Sequence, residues 1–132
     1  MENGRYMTHN NSLGPDKITQ ALSEYLYSDV SNRRKLSVIA VYSIYTIIVD
    51  EFRRYTGKTL APLESHTSPD SRSKSLGDIE IKNPDGSTFE AIEIKHLKPI
   101  SEDMLRVAYR KYKDTHLNRY YILTTSEPNY AD

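Results

Sequence analysis

Three charged residues in the middle of the chain have the types and spacing needed for phosphodiester hydrolysis. Asp78 lies in the stretch Gly77 to Ile81, and Glu93 and Lys95 lie in the stretch Ala91 to Lys95. Two carboxylates and a lysine at one spot form the grouping that hydrolysis with a bound divalent metal requires. The leading hypothesis from these residues is therefore a metal-dependent nuclease.

The segment between the two stretches predicts how these residues are brought together. The segment from Asn83 to Ser87 contains Pro-Asp-Gly, a tripeptide that strongly favours a turn. It separates two runs rich in Ile and Phe, which predicts a hairpin. A turn centred on Asp85-Gly86 predicts that Asp78 lies opposite Glu93 on adjacent strands, about 4.5 to 5.5 Å apart at Cβ. Strand alternation turns Lys95 to the same face as Glu93. The predicted pairs are Lys82 with Phe89, Glu80 with Ala91, and Asp78 with Glu93.

An ordinary half-solvated hairpin is the alternative interpretation of this pattern. In that case the isoleucines face inward and the charged residues lie in water, which accounts well for Glu80 and Lys82. It accounts poorly for Asp78 opposite Glu93, because like charges facing each other destabilise a ladder unless a cation or a proton lies between them. The four isoleucines expected to face inward are Ile79, Ile81, Ile92 and Ile94.

Composition limits the class of protein. A chain of 132 residues fits one small domain, and its 37% apolar and 27% charged residues are typical of a soluble globular protein. The absence of cysteine excludes disulfides and cysteine-based zinc sites. Eighteen basic residues balance eighteen acidic ones, so any affinity for nucleic acid must come from local patches. No signal peptide or membrane span is visible, and we expect a cytoplasmic protein.

The elements that position the site follow from periodicity and capping residues. We expect residues 1–15 to form an N-terminal arm and residues 16–132 to form a single domain. Helices around the hairpin are predicted from capping residues and apolar spacing, and strands from β-branched and aromatic runs. They are a helix at Lys17–Ser28 capped by Asp16, a long helix at Leu36–Tyr55, a short strand at Leu60–Glu64, a helix after Ser101, and a buried strand at Arg119–Thr125.

Several residues outside the hairpin are further candidates for the site. Glu51 follows the apolar spacing of one face of the long helix, so it either pairs with Arg54 or Lys58 or serves as a third acid at the metal. Basic residues in a serine-rich loop and on the later helix can contact phosphates, or they can be solvated surface. These basic candidates are Arg72, Lys74, Arg106 and Arg110, with Tyr109 and Lys113 on the same side of the later helix. We expect the core face of that helix to carry Met104, Leu105, Ala108 and Tyr112.

The order of elements and the motif resemble a known superfamily of nucleases. An Asp on one strand and Glu-x-Lys on the next, between two helices and before a final strand, is similar to the PD-(D/E)XK nucleases. The sequence resembles type II restriction endonucleases, the SacI-like group among them, in three segments: Gly77 to Glu80, Phe89 to His96 and Arg119 to Thr125. The resemblance covers residues 36 to 125. It implies an α/β fold with a restriction-endonuclease-like core, a mixed sheet with a central hairpin flanked by helices in the order αβββαβ.

The resemblance also implies a mechanism. Asp78 and Glu93 would bind Mg²⁺, with the backbone carbonyl of Ile94 completing the protein ligands, and Lys95 would orient the attacking water and stabilise charge on the phosphate. Glu51 would match an additional acid on the first helix. The substrate would be double-stranded DNA, cut to leave a 5′-phosphate, by an enzyme expected to be a homodimer. His96, directly after the motif, joins the basic residues named above as a candidate for DNA contact.

The sequence leaves several alternatives open. A rival match to the motif uses Pro69-Asp70 with Glu80 and Lys82, but Asp70 lies in a serine-rich loop and not on a strand. Gly77 stands where the family often has proline. The short chain is either a compact nuclease or a fragment of a longer enzyme. A non-catalytic nucleic-acid or protein-interaction domain and a Holliday-junction resolvase or repair nuclease remain competing functions.

Overall fold

A computed structural model describes residues 14–28, 33–63 and 75–131. The chain divides into two units, Met1–Ser31 and Asn32–Asp132. The described part of the first unit is the helix α1 (Pro15–Leu26), which follows Gly14 and has proline at its first position. Proline suits the first position of a helix because an N–H there would have no partner within the helix, and proline has none. The helix therefore begins before Asp16, the residue predicted to cap it. Residues 1–13 of the predicted arm lie outside the described residues.

The second unit is a mixed α/β structure with a four-stranded mixed sheet. Its sheet order is β1-β2-β3-β4, in which the first three strands are antiparallel and β4 runs parallel to β3. A parallel neighbour requires a crossover connection, which here contains a helix. In chain order the elements are α2 (Arg33–Glu51), a short 3-10 helix (Arg53–Tyr55), β1 (Thr59–Leu60), β2 (Ile79–Lys82), β3 (Thr88–Lys95), α3 (Glu102–Tyr112) and β4 (Arg119–Thr124).

Strand β3 is at the centre of the sheet, and its two faces meet different helices. Ile92 and Ile94 belong to the core that packs against α2. Because side chains alternate along a strand, Glu93 and Lys95 point to the opposite face, where residues of α3 line the same pocket. This alternation delivers the predicted site residues to the α3 side. The core on the α2 side consists of Val38, Tyr45, Val49, Tyr55, Ile79, Ile81, Ile92 and Ile94.

The hairpin register is partly as predicted. Glu80 pairs with Ala91, which confirms that part of the prediction. The turn, however, is one residue longer than predicted, since the N–H of Asn83 bonds the carbonyl of Ser87 and Gly86 adopts a φ of 84°. A register shift between Ile81 and Lys82 compensates for the longer turn, so that Lys82 pairs with Thr88 and not with the predicted Phe89.

The long helix α2 buries a different face from the one that its apolar spacing suggested. Val38, Tyr45 and Val49 are buried, whereas Ile44 and Ile47 are each 58% exposed. The helix is apolar nearly all round, so its spacing alone could not select the face that packs on the sheet. The predicted face is therefore wrong at Ile44, Ile47 and Glu51, whereas Tyr55 is buried and Ile48 packs against the core. The spacing predicted a face of Leu36, Ala40, Ile44, Ile47, Ile48, Glu51 and Tyr55.

The later helix follows its prediction more closely. The hydroxyl of Ser101 accepts a hydrogen bond from the N–H of Met104 at 3.3 Å, which confirms Ser101 as the N-cap of α3. Ala108 is buried as expected, but Leu105, placed on the core face by the sequence, is 53% exposed. Within the described ranges, no helix is both long enough and apolar enough to cross a membrane.

Candidate functional site

Asp78 lies directly before β2 and reaches across to β3 with its side chain. Its Oδ2 accepts a hydrogen bond from the N–H of Ile94 at 2.7 Å. Burial raises the pKa of Asp78 above its ordinary value, and the negative charge of Glu93 adds to the rise. The side chain thus replaces a backbone partner for β3 and holds a carboxylate beside the Glu-x-Lys sequence.

Gly77 allows this close approach. A Cβ at Gly77 would lie 2.7 Å from the carbonyl oxygen of Ile92, a separation that real Cβ atoms essentially never show. The backbone before Asp78 therefore contacts the backbone of β3 at a distance that only glycine permits. This packing explains why glycine precedes Asp78 in this chain.

Glu93 and Lys95 form an ion pair on the α3 face of β3. The Nζ of Lys95 lies 2.6 Å from Oε1 of Glu93, and the side chains are 26% and 16% exposed, respectively. Both remain reachable from solvent while being partly shielded from it, which strengthens their electrostatic interaction. Asp78 thus contacts β3 at Ile94, between Glu93 and Lys95. It precedes β2, and the first residues paired in the register are Ile79 and Ile92, so the predicted pairing of Asp78 with Glu93 stays a prediction.

Glu80 fixes the segment that leads to Asp78. Its carboxylate accepts a hydrogen bond from the N–H of Leu76 and pairs with Lys82. Burial by itself would raise the pKa of Glu80, but the hydrogen bonds from Lys82 and Leu76 outweigh it and lower the pKa below its ordinary value. Glu80 is only 8% exposed, so the prediction of a solvated strand surface at this residue was wrong.

Two residues that the sequence did not assign to the site adjoin it. Burial raises the pKa of Tyr120 above its ordinary value, and the nearby carboxylates of Glu93 and Asp78 add to the rise. The Nζ of Lys111 lies 3.4 Å from the carbonyl oxygen of Leu76, two residues before Asp78. Tyr120 enters through the parallel pairing of β4 with β3, in which it lies opposite Ala91. No local sequence signal marks either residue.

A pocket of about 230 Å³ opens beside the ion pair, between α3 and the sheet. Its α3 residues recur with the spacing of one helix face. The lining residues are Glu93, Lys95, Asp103, Met104, Val107, Ala108, Lys111, Tyr120 and Ile122.

Glu51 is not brought to the acid pair. It is exposed at the last position of α2. Arg34, in the first turn of that helix, lies near enough to Asp78 to lower its pKa in part. Since an α-helix rises about 1.5 Å per residue, Glu51 lies roughly 25 Å further along the axis from Arg34. We therefore leave Glu51 out of the site.

The predicted DNA contacts have different surroundings. Arg72 and Lys74 lie outside the described residues. The ring Nδ1 of His96 lies 3.0 Å from the hydroxyl of Thr125. Arg106 is ion-paired with Glu102 at 2.6 Å on the exposed side of α3. Arg110 is exposed on the same helix, and neither arginine lines the pocket.

The carboxylates suit a hard cation with few protein ligands. Among residues 14–28, 33–63 and 75–131, no group of three or more acidic or histidine side chains is placed to hold a metal ion. Mg²⁺ is often bound by only one or two carboxylates, with water and substrate phosphates completing its octahedron. Asp78 and Glu93, two neighbouring negative charges of which one has a raised pKa, fit that kind of site. Ile94, whose carbonyl was the third expected ligand, lies between Glu93 and Lys95.

No protein-family model matches this chain, and neither a curated protein nor a solved structure matches it. The function is therefore inferred from the geometry of the site.

Proposed function

We propose that this chain is a Mg²⁺-dependent endodeoxyribonuclease that hydrolyses phosphodiester bonds of double-stranded DNA, with the type II restriction endonucleases as the class it resembles. The observation that carries the proposal is the hydrogen bond from the Ile94 N–H to Asp78. This contact supports a shared site, because Ile94 lies between Glu93 and Lys95 in the sequence.

The order of elements supports the same proposal. A helix, three antiparallel strands, a crossover helix and a parallel fourth strand follow one another in the second unit. This is the αβββαβ order that the resemblance implies for a restriction-endonuclease-like core. The acids lie on the two central strands of that order, or directly beside them. Fold alone does not determine chemistry, so the proposal depends on the acids and the lysine.

Each residue has a distinct part in the proposed reaction. Asp78 and Glu93 would hold Mg²⁺, together with the carbonyl of Ile94. When bound, the ion supplies Lewis-acid polarisation of the phosphate and a lowered pKa for a coordinated water. Lys95, whose ammonium lies 2.6 Å from Glu93, would donate to a phosphate oxygen or orient the attacking water.

We include a homodimer in the proposal. Specific recognition of duplex DNA buries about 1,000 to 2,500 Å² of protein surface. A second copy would supply further surface and a second site for the opposite strand.

Cleavage of supercoiled plasmid DNA in the presence of Mg²⁺ tests the proposal. Asp78→Asn, Glu93→Gln and Lys95→Met keep side-chain size while removing charge, and each should slow cleavage on the order of a hundredfold or more. Glu102→Gln is the matched control, because Glu102 is an exposed acid paired with Arg106 away from the pocket. It should cleave at the wild-type rate. Undiminished Mg²⁺-dependent cleavage by Asp78→Asn or Glu93→Gln would contradict the assignment.

A non-catalytic nucleic-acid-binding module is the second candidate. The observation in its favour is that Lys95 neutralises Glu93 at 2.6 Å within the site itself. Calorimetric titration with Mg²⁺, alongside a gel-shift assay with duplex and four-way DNA, separates the candidates. DNA binding without heat from Mg²⁺ and without nicking would favour the module, and cleavage of four-way over linear DNA would favour a junction resolvase.

A further inference from the structure

The pocket beside Glu93 and Lys95 has a part that the proposed hydrolysis does not use. Its walls toward α3 are largely apolar and come from Met104, Val107 and Ala108, with Ile122 opposite on β4. Metal binding and water activation depend on charged groups, and neither needs an apolar recess. The recess opens directly beside the atoms proposed to act on a phosphodiester.

The volume of the pocket limits what it can hold. A closed apolar cavity of about 150 Å³ accommodates a benzene ring, whereas pockets for drug-sized ligands measure roughly 300 to 1,000 Å³. At about 230 Å³ this pocket admits one substituted aromatic ring. A single nucleobase fits that description, and a base pair does not.

The charges at the pocket suit a phosphate attached to such a ring. Lys95 and Lys111 both line it, and the described contact of the Lys111 ammonium is a weak one, 3.4 Å from the Leu76 carbonyl. Tyr120 adds an aromatic side chain, which is stacked on Tyr112 with ring centroids 5.1 Å apart and is thereby held in position. Aromatic side chains and lysines together are the usual means of binding unpaired nucleotides.

We propose that this pocket binds one unpaired nucleotide of the substrate, with the base among Val107, Ala108 and Ile122 and its phosphate at Lys95 and Lys111. The inference rests on the proposed nuclease function and gives it a substrate class. A paired base is held in the duplex stack and must leave it to enter such a pocket. The preferred substrate is therefore DNA with an extrahelical or single-stranded nucleotide at the cut site.

Nucleotide binding can be measured without metal and without cleavage. The 132-residue protein, carrying ¹³C-labelled Met, Val, Ala and Ile methyl groups, is titrated with deoxyadenosine 5′-monophosphate, deoxyribose 5-phosphate and inorganic phosphate. The nucleotide should give saturable NMR shifts at Val107, Ala108 and Ile122, and the two base-free probes should bind roughly tenfold or more weakly.

Two variants on the same helix make the test specific. Val107→Glu places a carboxylate at the pocket, one helical turn from Lys111, while Leu105→Glu makes the same charge change outside the pocket. Val107 is 58% exposed and Leu105 is 53% exposed, so both variants should fold. Val107→Glu should weaken nucleotide binding roughly tenfold or more, and Leu105→Glu should leave it unchanged within twofold.

Each outcome decides the inference. Absence of shifts, equal binding of inorganic phosphate, or equal loss in both variants would overturn the pocket assignment. Nucleotide binding with no cleavage of any DNA would refute the proposed nuclease function and support the nucleotide pocket. Cleavage without nucleotide binding would support the nuclease function and refute the nucleotide pocket.

In a Mg²⁺ cleavage assay, a duplex with one unpaired nucleotide should be cut at least several-fold faster than its fully paired counterpart. Equal rates would overturn the substrate class.

Discussion

Gly77 determines where the first acid of the site can lie. Its backbone touches the carbonyl of Ile92, and a Cβ would come within 2.7 Å of that oxygen. We predict that Gly77→Ala lowers the free energy of unfolding by about 1 to 3 kcal/mol, the range for overpacking, and weakens Mg²⁺ binding by displacing Asp78. Chemical denaturation and calorimetric Mg²⁺ titration measure the two effects.

A double-mutant cycle with Asp78→Asn provides the control for this prediction. If Gly77→Ala weakens Mg²⁺ binding through Asp78, adding it to Asp78→Asn should cause little further loss of affinity. Fully additive losses would show that Gly77 affects metal binding by another route.

Glu80 should make the stability of the fold depend on pH. Its pKa is lower in the folded protein than in the unfolded chain, so it contributes stability above the unfolded pKa of about 4.5. That contribution disappears as the pH falls through the folded pKa. We predict that Glu80→Gln costs about 1.5 to 3 kcal/mol at pH 7, because hydrogen bonds to a charged group are lost, and much less near pH 3. Urea denaturation at both pH values measures the difference, and an equal cost at both would contradict the argument.

The position of Glu90 could have been inferred from the residues near it. It is fully buried, and Oε1 accepts hydrogen bonds from the hydroxyls of Tyr45 at 2.9 Å and Tyr55 at 2.8 Å. It is in phase with Ile92 and Ile94, so the alternation that placed those isoleucines inward placed Glu90 inward as well. What the sequence could not supply were the partners, which lie 45 and 35 residues away.

At the scale of elements, the hairpin has the predicted pairing of Glu80 with Ala91 although its turn is longer than predicted. Pro-Asp-Gly suits a two-residue turn and also a three-residue loop with glycine in the left-handed region. The structure has the longer loop, and the shift between Ile81 and Lys82 restores the predicted pairing at Glu80 and Ala91. Turn chemistry predicted that a hairpin forms, but a compensating shift inside a strand has no signature in the sequence.

Helix α2 gives a prediction that separates the observed core face from the one its apolar spacing suggested. Val49 is buried against the sheet, whereas Ile47 is 58% exposed. Val49→Ala should therefore cost about 2 kcal/mol of unfolding free energy. Ile47→Ala removes more atoms and should change stability by no more than about 0.5 kcal/mol. Denaturation of both variants measures this, and a larger cost at Ile47 would contradict the assigned core face.

At the scale of the whole molecule, the sequence predicted that the two acids and the lysine lie close together, but it did not predict which residues of α3 and β4 adjoin them. Asp78, Glu93 and Lys95 are close because two strands adjacent in sequence pair, which local turn chemistry can predict. Lys111 and Tyr120 come to the same place through a helical crossover and a parallel pairing, whose register no short pattern specifies. Glu51 was misplaced because it lies at the end of α2 far from Arg34, the residue of that helix near Asp78, and apolar spacing does not show which end of a helix lies near the site.

Mg²⁺ should change the stability of the whole fold through the two acids. Burial and Glu93 raise the pKa of Asp78, so its ionised form costs stability in the metal-free protein at pH 7. Asp78→Asn should therefore raise the metal-free unfolding temperature, yet lose the stabilisation by Mg²⁺ that the wild type gains, about 2.7 kcal/mol at a hundredfold excess over Kd. Glu102→Gln, a change to an exposed acid, should keep the full gain. Thermal unfolding with and without Mg²⁺ measures both effects. An equal gain in Asp78→Asn would show that the ion binds elsewhere.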